Sequence, residues 1–177
     1  IPTSAGTITF GGGMLQFTSS NTYDYSGLFD SSTANQAFKF DTNGQTVTFA
    51  SSITSTGGTL AKYGTGTLIL SGSNGYTGAT TINTGTLRAQ NNSALGTTAG
   101  GVTVSSGSAL ELSGGITIGA EAMTVSGSGV NGAGVIKNVS GNNTYQGAIT
   151  LGSDSVFSSD SGTVTLSGAI GGSGKSI

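Results

Sequence analysis

Short patches in which apolar and polar residues alternate recur along the whole chain. Early patches lie at 7–10, 38–40, 46–49 and 67–70, and later ones at 102–104, 109–112, 116–118, 148–151 and 164–166. An alternation with a period of two is the signal of a half-buried β-strand. Asn-Gly and Gly-Gly pairs, which suit tight turns, separate the patches. The pattern predicts an all-β chain of many short strands.

Helical spacing is almost absent from the sequence, and only residues 91–98 are compatible with a single helical turn. Many short strands at regular intervals leave a sandwich, an antiparallel barrel or a solenoid. An internal repeat favours the solenoid, because residues 40–60 match residues 157–177 without a gap. In this match Phe40 aligns with Phe157, and Ile53 aligns with Ile170. We therefore expect a second long period to start within 141–177.

The most informative segment is 62–88, which follows a regular pattern of glycine, leucine and polar residues. Its fixed positions after Lys62 are Gly64, Gly66, Leu68, Leu70, Gly72, Asn74, Tyr76, Gly78, Thr80, Ile82, Gly85 and Leu87. This segment resembles the autotransporter-associated β-strand repeat, which occurs in the passenger domains of type V secreted bacterial proteins. A degenerate copy at 141–151 keeps the second half of the pattern.

The resemblance implies a right-handed parallel β-helix, or β-solenoid, located outside the cell or on the bacterial cell surface. We expect one solenoid segment over 1–177, with the best-matching repeat at 61–88. With about 20–24 residues per coil, the chain would form seven to nine coils in a rod roughly 35–45 Å long. The start at Ile1 and Pro2 and the lack of a charged cap at Ile177 suggest a piece excised from a longer repetitive chain.

The same pattern predicts the direction of individual side chains. The inward positions are Leu68, Leu70, Ile82 and Leu87. The outward or corner positions are Thr67, Ile69, Thr81 and Thr86. The five glycines of the motif would form the corners, where a side chain would clash. Asn74 would join a ladder of asparagines, and the hydroxyl of Tyr76 would reach water.

Composition narrows the chemistry that the chain can perform. The 33 Gly, 28 Thr and 27 Ser make up half of the 177 residues, and His and Cys are missing. Thiolate and imidazole metal sites, disulfides and His- or Cys-based catalytic triads are thereby excluded. Five scattered basic residues do not form a nucleic-acid interface, and no apolar run is long enough for membrane insertion. We predict no cofactor.

Two further kinds of site are weighed on the remaining residues. The seven acids, which a polysaccharide-degrading β-helix enzyme would need in a cluster, are spread along the chain and are expected to be solvated loop residues. Asp154 and Asp160 are the best pair for Ca²⁺, but they lack a calcium-binding motif, so no metal site is predicted. The Thr-x-Thr pairs are unevenly spaced, which disfavours the flat threonine row of an ice-binding protein.

The sequence therefore predicts a rigid, non-enzymatic segment of a surface or secreted fibre, whose partner would be another copy stacked end to end or side by side. The alternative is an adhesin module that binds host or surface glycans. Its contact candidates are the tyrosines outside the inward pattern, namely Tyr23, Tyr25 and Tyr63.

Overall fold

A computed structural model describes residues 6–177 as a stack of parallel β-strands, so Ile1 and Pro2 lie outside the described residues. Sheet A contains, in spatial order, β1 (Met14–Gln16), β2 (Ala37–Asp41), β4 (Thr59–Tyr63), β6 (Thr80–Ile82), β8 (Val102–Val104), β11 (Met123–Gly127), β14 (Ile149–Ser155) and β17 (Ile170–Gly171). Sheet B contains β3 (Thr46–Phe49), β5 (Thr67–Leu70), β7 (Thr86–Ala89), β9 (Ala109–Ser113), β12 (Ile136–Ser140) and β15 (Phe157–Ser159). Sheet C contains β10 (Thr117–Ile118), β13 (Asn143–Tyr145) and β16 (Val164–Leu166).

The chain winds from sheet A to sheet B and back, and it passes through sheet C in the later coils. Each strand pairs in parallel with the strand one turn further along the chain, so that Leu60 lies opposite Thr80 and Val125 lies opposite Leu151. These two pairs mark the range of coil lengths, from 20 to 26 residues. The arrangement is a parallel β-solenoid of about seven turns, as the sequence predicted. The right-handed winding stays a prediction.

Regular helix is nearly absent from residues 6–177. The helical elements of this part of the chain are two short 3-10 helices, Ser26–Leu28 and Val130–Gly132. Residues 91–98 contain a turn in which the N–H of Ala94 donates to the carbonyl of Asn91 at 3.0 Å. Among the described residues, no helix has the length and apolar character needed to cross a membrane.

Columns of identical side-chain direction form the core. Leu68 pairs with Val47 on one side and Leu87 on the other, and Leu110 continues the column. All four side chains are buried to 1% exposure or less. Burying a large aliphatic side chain stabilises a fold by about 1.5–3 kcal/mol. Each coil therefore needs its neighbours to cover its apolar interior.

An aromatic cluster fills the interior of the first coils. Six of the seven phenylalanines fall between residues 10 and 49. The rings of Phe40 and Phe49 meet edge to face at a centroid distance of 4.8 Å, and those of Phe29 and Phe40 stack at 5.5 Å. Such pairs are worth about 0.5–1.5 kcal/mol beyond the area they bury. The cluster gives this end of the solenoid a wider core than the leucine and valine columns.

The 117-residue offset found in the sequence does not join structurally equivalent positions. Phe40 lies in sheet A, whereas Phe157 lies in sheet B and pairs with Ile136. Likewise, β3 belongs to sheet B, whereas the matching residues 164–166 form a strand of sheet C. Every strand alternates inward and outward residues, so two strands match in sequence even when they occupy different sheets. The structural repeat is the single coil.

Candidate functional site

The inward leucine and isoleucine positions of the repeat coil are fully buried. Leu68, Leu70, Ile82 and Leu87 are each 0% exposed. Three outward positions, Thr67, Ile69 and Thr81, are half-buried. Thr86 differs from the expectation because it is only 8% exposed. It lies directly after the tight corner at Gly85, where the following coil covers its side chain.

The motif glycines serve two different purposes. Gly64, Gly66 and Gly85 have φ values of 71°, 92° and 74°, which favour glycine. Gly72 and Gly78 instead allow close approach, because an added Cβ would lie 2.4 Å from the carbonyl oxygen of Ser51 and 2.6 Å from that of Gly58, respectively. All five glycines thus lie where the chain bends between strands or touches the coil before it.

Asn74 links three consecutive coils through its amide group. Its Oδ1 accepts the N–H of Ile53 at 2.8 Å, and its Nδ2 donates to the carbonyl of Ala94 at 2.6 Å. The side chain is 4% exposed. The expected ladder of stacked asparagines is wrong at this position, because both ends of the amide bind the backbone of adjacent coils instead.

Tyr76 is a buried residue, and the prediction that its hydroxyl reaches water is wrong. The ring is 0% exposed, and its hydroxyl lies 2.7 Å from Oγ1 of Thr80. Thr80 is also buried, and its hydroxyl donates to the carbonyl of Leu95 at 3.1 Å. Burial raises the pKa of Tyr76 well above its usual range. The ring fits inside because Gly72 and Gly78 leave room at the adjacent corners.

Lys62 is a functional element of the repeat to which the sequence pattern assigned no role. It is 0% exposed, and its Nζ donates to the carbonyls of Tyr63, Gly64 and Thr84 at 2.8, 2.7 and 3.1 Å. Burial lowers its pKa to about 8, and the nearby Asp41 opposes this shift. The ammonium group thus joins the corners of two coils. Its fixed position among glycines was the signal in the sequence.

Asn138 performs the same task at a later corner. It is 0% exposed, and its Nδ2 donates to the carbonyls of Gly141 and Ser161 at 3.0 and 2.8 Å. One carbonyl belongs to its own corner, and the other belongs to the corner of the next coil. Side-chain donors therefore supply the hydrogen bonds that strand pairing cannot provide at the bends.

The three surface tyrosines have different environments. Tyr23 is 49% exposed, and Tyr63 is half-buried on the outer side of sheet A. Tyr25 is buried to 3% exposure, and its hydroxyl donates to Oδ1 of Asn21 at 3.1 Å. Its selection as a surface contact is therefore wrong. It packs near Phe17 as part of the aromatic core.

Six of the seven acids have identifiable structural partners. Asp24, Asp30 and Asp41 accept hydrogen bonds from nearby backbone N–H groups. Glu111 pairs with Arg88, and Asp160 pairs with Lys137, each at 2.7 Å. Asp154 accepts the backbone N–H and the hydroxyl of Ser176, and these bonds lower its pKa. The described residues hold no group of three potential metal ligands.

Glu121 is the exception, and the expectation of a solvated loop residue is wrong for it. Its side chain is 2% exposed, and its Oε1 has no hydrogen-bond partner among the described residues. Burial raises its pKa to about 8. The hydroxyl of Tyr145 donates to the backbone carbonyl of Glu121 at 2.8 Å. A carboxyl group in this position is neutral at moderately acidic pH.

Comparison with known proteins agrees with this architecture. Residues 60–89 match the model of the passenger-associated-transport-repeat family. The chain is also similar to the adhesin BmaC autotransporter of Brucella suis biovar 1 (strain 1330), with 35% identity over 132 residues, which cover 75% of this chain. It spans only 3% of the length of that relative. No solved structure matches the chain.

The match and the repeat coil together define the class of protein. The segment is part of a parallel β-solenoid whose corners are held by buried glycine, asparagine, tyrosine and lysine residues. The chain therefore carries an autotransporter passenger repeat.

Proposed function

We propose that this chain is a rigid, non-enzymatic segment of an adhesin-like passenger that is secreted or displayed on the cell surface. The observation that carries the proposal is the set of side-chain bridges between coils in the family-matched repeat. Asn74 binds the coils before and after its own, and Lys62 binds two consecutive corners. Such cross-links make a stiff wall, and the similarity to an autotransporter adhesin supports a position outside the cell.

A display experiment tests this proposal. The chain, with an epitope tag at its N-terminus, is fused to the translocation domain of an unrelated autotransporter. We expect the tag to be accessible to antibody on intact cells and the folded chain to resist added protease. A Leu68→Asp variant is the control, since it places an unpaired charge in the core. A tag retained inside the cell, or equal protease sensitivity of both chains, would contradict the proposal.

A second candidate function is the binding of host or surface glycans. Tyr23 supports it as a half-exposed ring held edge-on against Tyr25 at a centroid distance of 5.0 Å. Aromatic rings with a polar end are common in binding sites. On a glycan array we expect selective binding that Tyr23→Ala abolishes and Tyr63→Ala reduces less. An array on which the chain binds no glycan selectively would reject this function.

End-to-end self-association is a separate part of the proposal. Strands β15, β16 and β17 are the last members of their sheets and pair on one side only within the described residues. Val156 and Ile170, in the same coil, are 43% and 38% exposed. Edge strands with exposed apolar residues invite further pairing. Sedimentation should show association that Ile170→Lys weakens, and a monomer at all concentrations would refute it.

A further inference from the structure

Four threonines stand in exact register on the outer side of sheet A. Thr81 lies opposite Thr103, Thr103 opposite Thr124, and Thr124 opposite Thr150. Thr81 is half-buried, and the other three are exposed. Neighbouring strands are about 4.7–4.9 Å apart, so the column repeats a hydroxyl and a methyl group at a constant interval. The uneven Thr-x-Thr spacing in the sequence predicted no continuous row, but the winding of the coils creates one.

The outward column beside these threonines consists of very small residues. It contains Ala79, Gly101, Ala122 and Ala148, each two positions before a threonine of the column. Backbone hydrogen bonds keep it in register, with the N–H of Val102 donating to Ala122 and that of Met123 donating to Ala148, both at 2.8 Å. Side chains this short leave a flat surface in which the threonines are the only projecting groups.

This surface differs from the other outer faces of the solenoid. On sheet B the outward column contains Arg88, Glu111 and Lys137, which are long and charged. The threonine column of sheet C extends over only three strands. On sheet A neither outward column carries a charge across the four coils of the threonine row. The threonine face of sheet A is thus defined by these eight residues, and it is neutral, flat and regular.

We propose that the threonine face of sheet A binds the surface of ice. Charged groups hold their own hydration shells, whereas a neutral array of hydroxyl and methyl groups complements a neutral water lattice. The spacing of about 4.8 Å between coils is close to the repeat of oxygen atoms in hexagonal ice, so successive hydroxyls meet equivalent water molecules. Hydrogen-bonded strands on both sides fix the array before it meets ice, which limits the entropy lost on binding.

The test is incorporation of the fluorescently labelled full chain into a slowly growing ice hemisphere, together with inhibition of ice recrystallisation. We expect the chain to enter the ice and to keep crystals small. Thr103→Tyr and Thr124→Tyr should each abolish both effects, because a bulky ring prevents contact along the row. The matched control is Thr48→Tyr, which adds the same ring to an exposed outward position of sheet B and should retain both effects.

Three results would overturn the proposal. The unsubstituted chain may be rejected from ice like an inert protein, or the sheet B control may lose activity as fully as the sheet A variants. The sheet A variants may instead change the oligomeric mass measured by light scattering, which would make this face a contact between copies. Thermal melting of every variant, followed by circular dichroism, verifies that a loss of ice binding does not come from unfolding.

Discussion

Asn74 and Asn143 make the same hydrogen bond at equivalent corners of two different coils. Oδ1 of Asn74 accepts the N–H of Ile53 at 2.8 Å, and Oδ1 of Asn143 accepts the N–H of Ile116 at 2.7 Å. In each case the donor belongs to the preceding coil. The degenerate copy of the repeat has therefore kept the contact that joins one coil to the next, although half of its sequence pattern is lost.

Replacing Asn74 by alanine should lower the free energy of unfolding by roughly 2–5 kcal/mol, since the buried N–H of Ile53 and the buried carbonyl of Ala94 lose their partner. Urea denaturation followed by circular dichroism measures the change. Asn83→Ala is the control, because Asn83 is half-buried and lies outside these bridges, and it should change stability by about 0.5 kcal/mol or less. Equal losses in the two variants would show that the bridge contributes nothing special.

The inward and outward directions of strand residues were predictable from the sequence, because a strand places successive side chains on opposite faces. Leu68 and Leu70 illustrate this, since both are fully buried. The corners were not predictable in the same way. Tyr76 and Lys62 carry polar atoms, which sequence reasoning assigns to the surface, yet both are buried because backbone groups and a threonine satisfy those atoms.

Register between coils was also beyond the sequence. Coil length varies between 20 and 26 residues, so a fixed offset fails to identify equivalent positions. The threonine face of sheet A illustrates this point, because Thr124 and Thr150 are neighbours although 26 residues separate them. Glu121 was missed for a similar reason, since the coil that covers it is distant in the sequence.

Replacing Lys62 by methionine should destabilise the solenoid by about 2–4 kcal/mol, because three corner carbonyls lose a charged donor while the apolar stem is retained. Thermal or urea unfolding measures the loss. Lys39→Met is the matched control, because its Nζ makes a single exposed hydrogen bond, to the carbonyl of Gly12. If Lys62→Met were as stable as Lys39→Met, the buried ammonium would not hold the corners together.

Glu121 predicts a pH dependence of stability. Folding raises its pKa to about 8 from an ordinary value of 4.5, so the native state keeps a proton that the unfolded state releases. Its contribution is fully present below the unfolded pKa and is lost as pH rises through the folded pKa. The free energy of unfolding should therefore fall between about pH 4.5 and pH 8, by roughly 1 kcal/mol per pH unit at most.

Urea denaturation at a series of pH values measures this dependence. Glu121→Gln has no titrating group at this position, so its stability should be nearly flat over the same range. The two proteins should differ most near pH 8. A wild-type protein whose stability is independent of pH in this window would mean that the carboxyl group is solvated.

The direction of side chains in the repeat predicts opposite effects for two aspartate substitutions. Leu68→Asp buries an unpaired charge in the core and should unfold the chain or cost more than about 4 kcal/mol. Thr81→Asp adds the same charge to the outer side of sheet A and should cost less than about 1 kcal/mol. Circular dichroism and thermal melting of both variants separate the two outcomes. Similar behaviour would place the strands in the wrong register.

The central claim is that the coils stack in the register that places Thr103 beside Thr124, and disulfide formation tests it most directly. The chain has no cysteine, so a double variant with Thr103→Cys and Thr124→Cys contains one possible bond. Adjacent strands about 4.8 Å apart lie within the Cα separation of roughly 4.4–6.8 Å that a disulfide requires. The matched control joins Thr48→Cys with Thr165→Cys, the pair related by the 117-residue sequence offset, which lies in sheets B and C. We predict rapid intramolecular oxidation of the first pair and none of the second; oxidation of the second pair alone would contradict the solenoid described here.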